Sequence, residues 1–185
     1  MIMNKDYWVD YYQRIGYLGP SDFAKFCVDR FIRYYHHVVD AGCGDGRDLR
    51  YFEKFNFKVS GIDCVPNPNP NVIVQDIGEA KFNCDVVYSR WMLHAIDKET
   101  EDNFLRNVYD GISLFGLLCI ECRSDTDDRA PILDNHYRRY INFERLKEKM
   151  IALGFEIIYA GEQRGWSVQD NDDPLLIRII ARKIV

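Results

Sequence analysis

The chain has 185 residues, of which 47% are hydrophobic and 29% charged, with a formal net charge of −5. That length and mixture predict one globular domain over residues 1–185 with a substantial core, not a disordered chain. The acidic balance gives no general pull towards nucleic acid or anionic membrane, and no run approaches the roughly 20 apolar residues of a membrane span.

Tyr7, Trp8, Tyr11 and Tyr12 form an aromatic group on a short segment near the start. Ser21 is a good N-cap, and Asp22 follows where a helix dipole favours negative charge. Phe23, Phe26, Cys27 and Phe31 then give an apolar helical stripe. Val38-Val39 reads as a first strand leading into Asp40-Ala41-Gly42-Cys43-Gly44-Asp45-Gly46. A helix is predicted over 47–55, with Leu49, Phe52 and Phe55 on one side. Further strands are predicted at 58–62 and 72–74. The Pro66-Asn67-Pro68-Asn69-Pro70 run between them excludes a helix. A strand at 85–88, a helix at 98–111 and a buried strand at 117–122 follow. A helix at 143–153 is ended by Gly154, and strands at 155–160 and 175–181 complete the set.

Strands alternating with helices imply an α/β, doubly wound sheet, mostly parallel. Only the polar segment 161–174 separates the last two strands, so they are expected to pair antiparallel. Six cysteines lack the repeated spacing of a metal site, and Cys119 and Cys122 point to opposite faces of a strand. No metal is expected. Reduced thiols, and the absence of an apolar signal-like run in the first ten residues, fit a cytoplasmic protein.

The glycine-rich turn sits between strand and helix, where glycines permit positive φ and close approach of a ligand to the backbone. Asp63 ends the second strand 17 residues after Gly46, where a carboxylate can accept two ribose hydroxyls. A dinucleotide fingerprint needs a third glycine at position 47, which is Arg47. The carboxylates of Asp40, Asp45 and Asp48 around the turn would repel a pyrophosphate and suit a cationic ligand.

Val38-Val39-Asp40-Ala41-Gly42-Cys43-Gly44-Asp45-Gly46 resembles the first motif of the class I S-adenosylmethionine-dependent methyltransferases. Val59-Ser60-Gly61-Ile62-Asp63, Val74-Gln75-Asp76-Ile77 and the segment from Cys84 to Ser89 are similar to their later motifs. The resemblance covers nearly the whole chain. It implies a seven-stranded Rossmann-like sheet with an antiparallel last strand, and S-adenosylmethionine as cofactor. It implies Asp63 on the ribose, Asp76 and Ile77 at the adenine, and cofactor contacts from Asp40, Gly42, Cys43, Gly44, Asp45, Cys64 and Ser89. The family's helix between strands two and three is replaced here by the Pro-Asn loop. Pro20-Ser21-Asp22-Phe23-Ala24, the run Tyr88 to His94, Glu121-Cys122-Arg123-Ser124, His136-Tyr137-Arg138-Arg139 and Asp173-Pro174 resemble a bacterial small-molecule subgroup. Its members often accompany surface-polysaccharide gene sets.

Ligands of an open α/β sheet bind beyond the carboxyl ends of its strands. That rule gathers Arg90 and His94 after the fourth strand, Glu121 and Arg123 at the end of the fifth, and Arg164 after the sixth. Tyr137, Arg138 and Arg139 share the next loop with His136. Arginines there favour a small anionic or sugar-linked acceptor. The alternative is that they pair with Asp125, Asp127, Asp128, Asp134, Asp170, Asp172 and Asp173 as surface salt bridges. His94 and His136 are the candidate bases, with Arg123 beside them as a catalytic candidate. A nucleic-acid or protein methyltransferase is the competing reading. Against it stand the acidic charge and Ser89-Arg90-Trp91-Met92, where amino-methylating enzymes of nucleic acids carry an Asn/Asp-Pro-Pro-Tyr-like tetrad. A binding module without turnover is the third reading, and the oligomeric state is open.

Overall fold

The computed structural model describes residues 5–15, 18–33, 36–128, 138–168 and 172–185. Helices α1 (Lys5–Ile15) and α2 (Asp22–Arg30) precede strand β1 (His37–Ala41). Then come α3 (Leu49–Phe52), β2 (Lys58–Asp63), β3 (Val72–Val74), β4 (Cys84–Arg90), α4 (Lys98–Gly111) and β5 (Ile112–Arg123). The chain continues through α5 (Phe143–Leu153), β6 (Phe155–Gln163) and β7 (Leu176–Lys183).

One seven-stranded sheet runs in the order β3-β2-β1-β4-β5-β7-β6. All strands run parallel except β7, which is antiparallel to both β5 and β6. The expected α/β architecture with its antiparallel last strand is therefore present. From β1 the chain winds outward to β3 and then returns to β4 on the other side of β1. The carboxyl ends of β1 and β4 thus flank the point where strand order reverses, which is where such sheets open a crevice.

Side-chain alternation along the strands builds a core on each face. Leu118, Ile120 and Cys122 of β5 pack with Phe104, Leu105 and Val108 of α4 and with Leu146 and Met150 of α5. Leu117 and Cys119 join Val86 and Tyr88 of β4 with Phe23, Ala24 and Cys27 of α2 on the other face. Cys119 and Cys122 so serve opposite cores, as the strand period requires. Burying each large side chain contributes about 1.5–3 kcal/mol, which is what holds helices this short in place.

The caps agree with the sequence. Ser21 Oγ accepts the Ala24 N–H at 3.0 Å, and Gly154 closes α5 at φ 105. Several strand ends differ, as β6 runs three residues past 160 to Gln163, and three other segments differ more. The helix expected over 47–55 is only Leu49–Phe52 followed by a 3-10 turn, Glu53–Phe55, ended by left-handed Asn56. Its first two residues stay in the glycine turn because Asp48 is held elsewhere, as shown below. Strand β5 starts at Ile112 rather than at 117. Ile112 pairs with Cys84, and an irregularity then shifts the register by Val86. Exposed Leu114 and Phe115 in that stretch hide the strand from a periodicity reading. The aromatic segment at the start is α1, an 11-residue helix, longer than α2. Among the described residues no helix is long and apolar enough to cross a membrane.

Candidate functional site

Gly42, Gly44 and Gly46 all adopt positive φ, at 77°, 54° and 77°. A Cβ on Gly42 would sit 2.5 Å from Met92 Cγ, and one on Gly44 would sit 2.5 Å from the Tyr12 hydroxyl. Both glycines are therefore required by space as well as by backbone conformation. The turn is tied to β2 by the N–H groups of Gly42 and Cys43, which donate to the Ile62 carbonyl at 2.8 and 3.2 Å. Asp48 anchors it from behind. Its carboxylate accepts from Ser21 N–H, Ser21 Oγ and Tyr88 OH, each at 2.7 Å. The Pro-Asn loop supplies a brace on the other side, as Asn67 Nδ2 donates to the Gly44 carbonyl at 2.7 Å. The asparagine side chains of that loop fold it locally. Asn67 Oδ1 accepts Asn69 N–H and Asn69 Oδ1 accepts Asn71 N–H, at 2.8 and 2.9 Å.

A cavity of about 590 Å³ opens over this turn at the carboxyl ends of β1, β2 and β4. Asp40, Gly42, Cys43, Gly44 and Asp45 line it from the turn. Asp63, Cys64, Asp76 and Ile77 line it from the ends of β2 and β3. Of the ten candidate cofactor contacts only Ser89 stays out of the wall. It is fully buried, and its Oγ finds no hydrogen-bond partner among the described residues. Asp63 is oriented by backbone: Oδ2 accepts Gly44 N–H at 2.8 Å and Oδ1 accepts Val65 N–H at 2.9 Å. Each oxygen keeps a second lone pair for a ligand hydroxyl.

The electrostatics at this end are acidic. Six aspartates line the cavity, against the four cations Lys5, Arg47, Arg90 and Arg138. Asp45 has a partner, Arg50, whose guanidinium donates to its Oδ2 at 2.9 Å and to its carbonyl at 2.5 Å. Asp40, only 3% exposed, is pushed well above the ordinary carboxylate value, first by burial and then by Asp48, Asp63 and Asp45. Burial also raises Asp63, against the pull of the two N–H groups it accepts. A bound cation relieves both penalties.

Helix α1 forms part of the cavity wall. Tyr7, Trp8, Tyr11 and Tyr12 all line the cavity, with Tyr7 and Tyr11 stacked at 6.1 Å. Burial and the neighbouring Asp63 and Asp45 push the Tyr12 phenol up, so it stays a neutral hydrogen-bond donor above the turn.

At the far rim the arginines are largely spoken for. Arg90 lines the cavity, and its Nε donates to Glu121 Oε1 at 3.0 Å. Glu121 is fully buried, and its other oxygen accepts from Arg178 Nε at 2.7 Å. Burial raises the Glu121 pKa, while Arg90 and Arg178 hold it down. Arg123 is 3% exposed and pairs with Asp172. Arg139 pairs with Glu101 and donates to the carbonyls of Leu93 and Ile96, each at 3.4 Å. Arg164 pairs with Asp127 at 2.6 Å and Asp128 at 2.5 Å. Arg138 does line the cavity, and burial together with Arg123 lowers its pKa. His136 and Tyr137 lie outside the described residues.

His94 also lines the cavity and is nearly buried. Its Nδ1 accepts the Arg123 N–H at 3.3 Å. A neutral ring holding that bond carries its proton on Nε2. Sequence reasoning passed over three wall or brace residues. Asn67 was read only as rigid loop, and Met92 and Trp91 only as neighbours of the β4 motif. Their signal is position, directly after a strand that ends at the crevice.

No family model matches the chain, and no curated protein matches it by sequence. Solved structures do. Burkholderia thailandensis 1,6-didemethyltoxoflavin-N1-methyltransferase, solved with 1,6-didemethyltoxoflavin and S-adenosylhomocysteine, aligns over 98% of this chain and 87% of its own. The TM-score is 0.78 at 18% identity. A TehB-like S-adenosylmethionine-dependent methyltransferase from Corynebacterium glutamicum gives 0.72 at 17% identity, over 97% of this chain and 100% of its own. The glycopeptide N-methyltransferase MtfA, complexed with S-adenosylhomocysteine, gives 0.71 at 10% identity, over 90% and 91%. At such identities the likeness speaks for architecture: the chain has the Rossmann-like fold of S-adenosylmethionine-dependent methyltransferases, and two of these neighbours were solved with S-adenosylhomocysteine.

Proposed function

We propose that the chain binds S-adenosylmethionine at the glycine turn and transfers its methyl group to oxygen or nitrogen of a small, anionic or sugar-linked acceptor. The observation that carries this reading is the cradle of three positive-φ glycines, two of them without room for a Cβ, facing an acidic cavity beside Asp63. Asp63 would hold the ribose hydroxyls, Asp76 and Ile77 the adenine, and buried Asp40 the cationic part of the cofactor. The bound cofactor supplies an electrophilic methyl group on a sulfonium. The chain's own work is then to align an acceptor with that group and to exclude water, and positioning alone removes much of the barrier.

Arg90 and Arg138 are the rim arginines on the cavity wall, so they are the ones to orient an anion. Arg123, Arg139, Arg164 and Glu121 would act through the scaffold they brace. His94 and His136 remain the proposed bases. A small acceptor agrees with the toxoflavin-type ligand of one structural neighbour. The resemblance to surface-polysaccharide enzymes suggests capsule decoration as the setting.

Calorimetry with S-adenosylmethionine and S-adenosylhomocysteine tests the reading. Both should bind at micromolar affinity or better. Asp63→Ala should weaken each by about 10- to 100-fold, the worth of charged hydrogen bonds to two hydroxyls. A folded protein that binds neither would overturn the proposal.

A further inference from the structure

Trp91 is a bulky residue held at φ 59, in the left-handed region that favours glycine. It stands on the cavity wall, directly after β4 and directly before Met92, whose side chain packs on Gly42. The conformation is fixed from several sides. Its N–H donates to the Glu121 carbonyl at 2.8 Å. The Arg90 guanidinium lies 4.2 Å from the ring centroid and that of Arg123 lies 5.2 Å away. The buried Glu121 in turn fixes Arg90. A strained backbone maintained by this much surrounding structure, at the edge of a ligand cavity, is there to aim its side chain.

Two features of the shared cavity describe its ligand. Helix α1 contributes Tyr7, Trp8, Tyr11 and Tyr12 to the cavity wall, with flat aromatic Tyr7 and Tyr11 stacked on each other. Arg90 and Arg138 stand with Trp91 on the cavity wall, and Arg123, paired with Asp172, lies against its ring. Aromatic walls reward a flat π-system with large contact area at little entropic cost, and guanidinium groups reward a carboxylate or phenolate. A sugar phosphate meets the second condition but presents no flat face.

We propose that Trp91 is the acceptor-positioning residue, and that the acceptor it selects is a flat aromatic anion lying in the cavity that the indole shares with α1. This rests on the cavity being a joint cofactor and acceptor site, and it narrows the acceptor class given above.

The test is calorimetry on protein saturated with S-adenosylhomocysteine, using 4-hydroxybenzoate, indole-3-carboxylate and quinoline-2-carboxylate as flat anions. Cyclohexanecarboxylate and glucose 1-phosphate are the non-planar anions. At least one flat acid should bind about tenfold tighter than both non-planar probes. Trp91→Gly removes the ring while its backbone accepts the same φ without strain. It should lose that preference while S-adenosylhomocysteine affinity changes less than about twofold, and Trp91→Phe should restore most of it. Tighter binding of glucose 1-phosphate, binding of no flat acid, or an unchanged preference in Trp91→Gly overturns the inference. If S-adenosylhomocysteine itself fails to bind, the methyltransferase reading falls, and the same titrations on the ligand-free protein still decide the role of Trp91.

Discussion

At the glycine turn, Asp40 and Asp63 face the cavity with no ion pair among the described residues, whereas at the opposite rim Arg90, Arg123, Arg139 and Arg164 each meet a carboxylate. The two ends carry opposite charge and differ in how it is neutralised. Carboxylates buried without counterions destabilise the empty protein and are stabilised by a cationic ligand. Arginines already paired contribute to the scaffold, and of these four Arg90 alone also lines the cavity. Binding variants should therefore separate from folding variants along the line between these ends.

The largest expected effect is on the scaffold side. Glu121 is fully buried between Arg90 and Arg178, and removing it strands two nearly buried guanidinium groups. Glu121→Ala should cost about 3–5 kcal/mol of stability in urea unfolding, while the protein that remains folded binds S-adenosylhomocysteine normally. Loss of cofactor affinity with unchanged stability would erase the distinction between the two ends.

Gly44→Ala tests the ligand side. The new methyl group would need φ 54 and would press on the Tyr12 hydroxyl. Backbone strain should cost about 1–2 kcal/mol of stability. Displacement of Tyr12 and of the turn should weaken cofactor binding by about 10- to 100-fold, a larger fraction of the binding energy than of the folding energy. Thermal unfolding and calorimetry on one preparation separate the two effects.

The contrast between the ends was only half legible in the sequence. The turn could be read because its requirements are local: glycine where φ must be positive, and an acid at the end of the next strand. Nine of the ten contacts expected there line the cavity. The sheet was legible for the same reason, since period-2 runs between helical stripes leave few other arrangements. The rim was not. Whether Arg123 faces a substrate or Asp172 depends on how residues 49 positions apart meet across β5 and the loop before β7, and no local pattern encodes that. Trp91 escaped notice because its distinguishing property is a backbone angle imposed by Glu121 from a neighbouring strand. Asn67 escaped because a Pro-Asn run advertises a loop and not the carbonyl that the loop will touch. The register slip that starts β5 at Ile112 was hidden by Leu114 and Phe115, apolar residues that the fold leaves in solvent.

The smallest effect has the most diagnostic sign. Asp40 ionises with difficulty in the empty folded protein because it is buried and because Asp48, Asp63 and Asp45 lie near, only partly offset by Arg90. The unfolded chain ionises at the ordinary value of 3.8. The stability that protonated Asp40 contributes is thus complete below that pH and is lost as pH rises from there through the raised folded value. Asp40→Asn cannot ionise, so its advantage over the parent should grow across that window. It should be greatest near neutrality, read as a melting midpoint above that of the parent. With S-adenosylhomocysteine, whose ammonium the proposal pairs with Asp40, that order should reverse in favour of the parent. Melting curves from about pH 4 to about pH 8, with and without ligand, check both halves. A constant offset between the two proteins at every pH would mean that Asp40 is held neutral for the fold alone, and the acidic end would then be scaffold, like the rim.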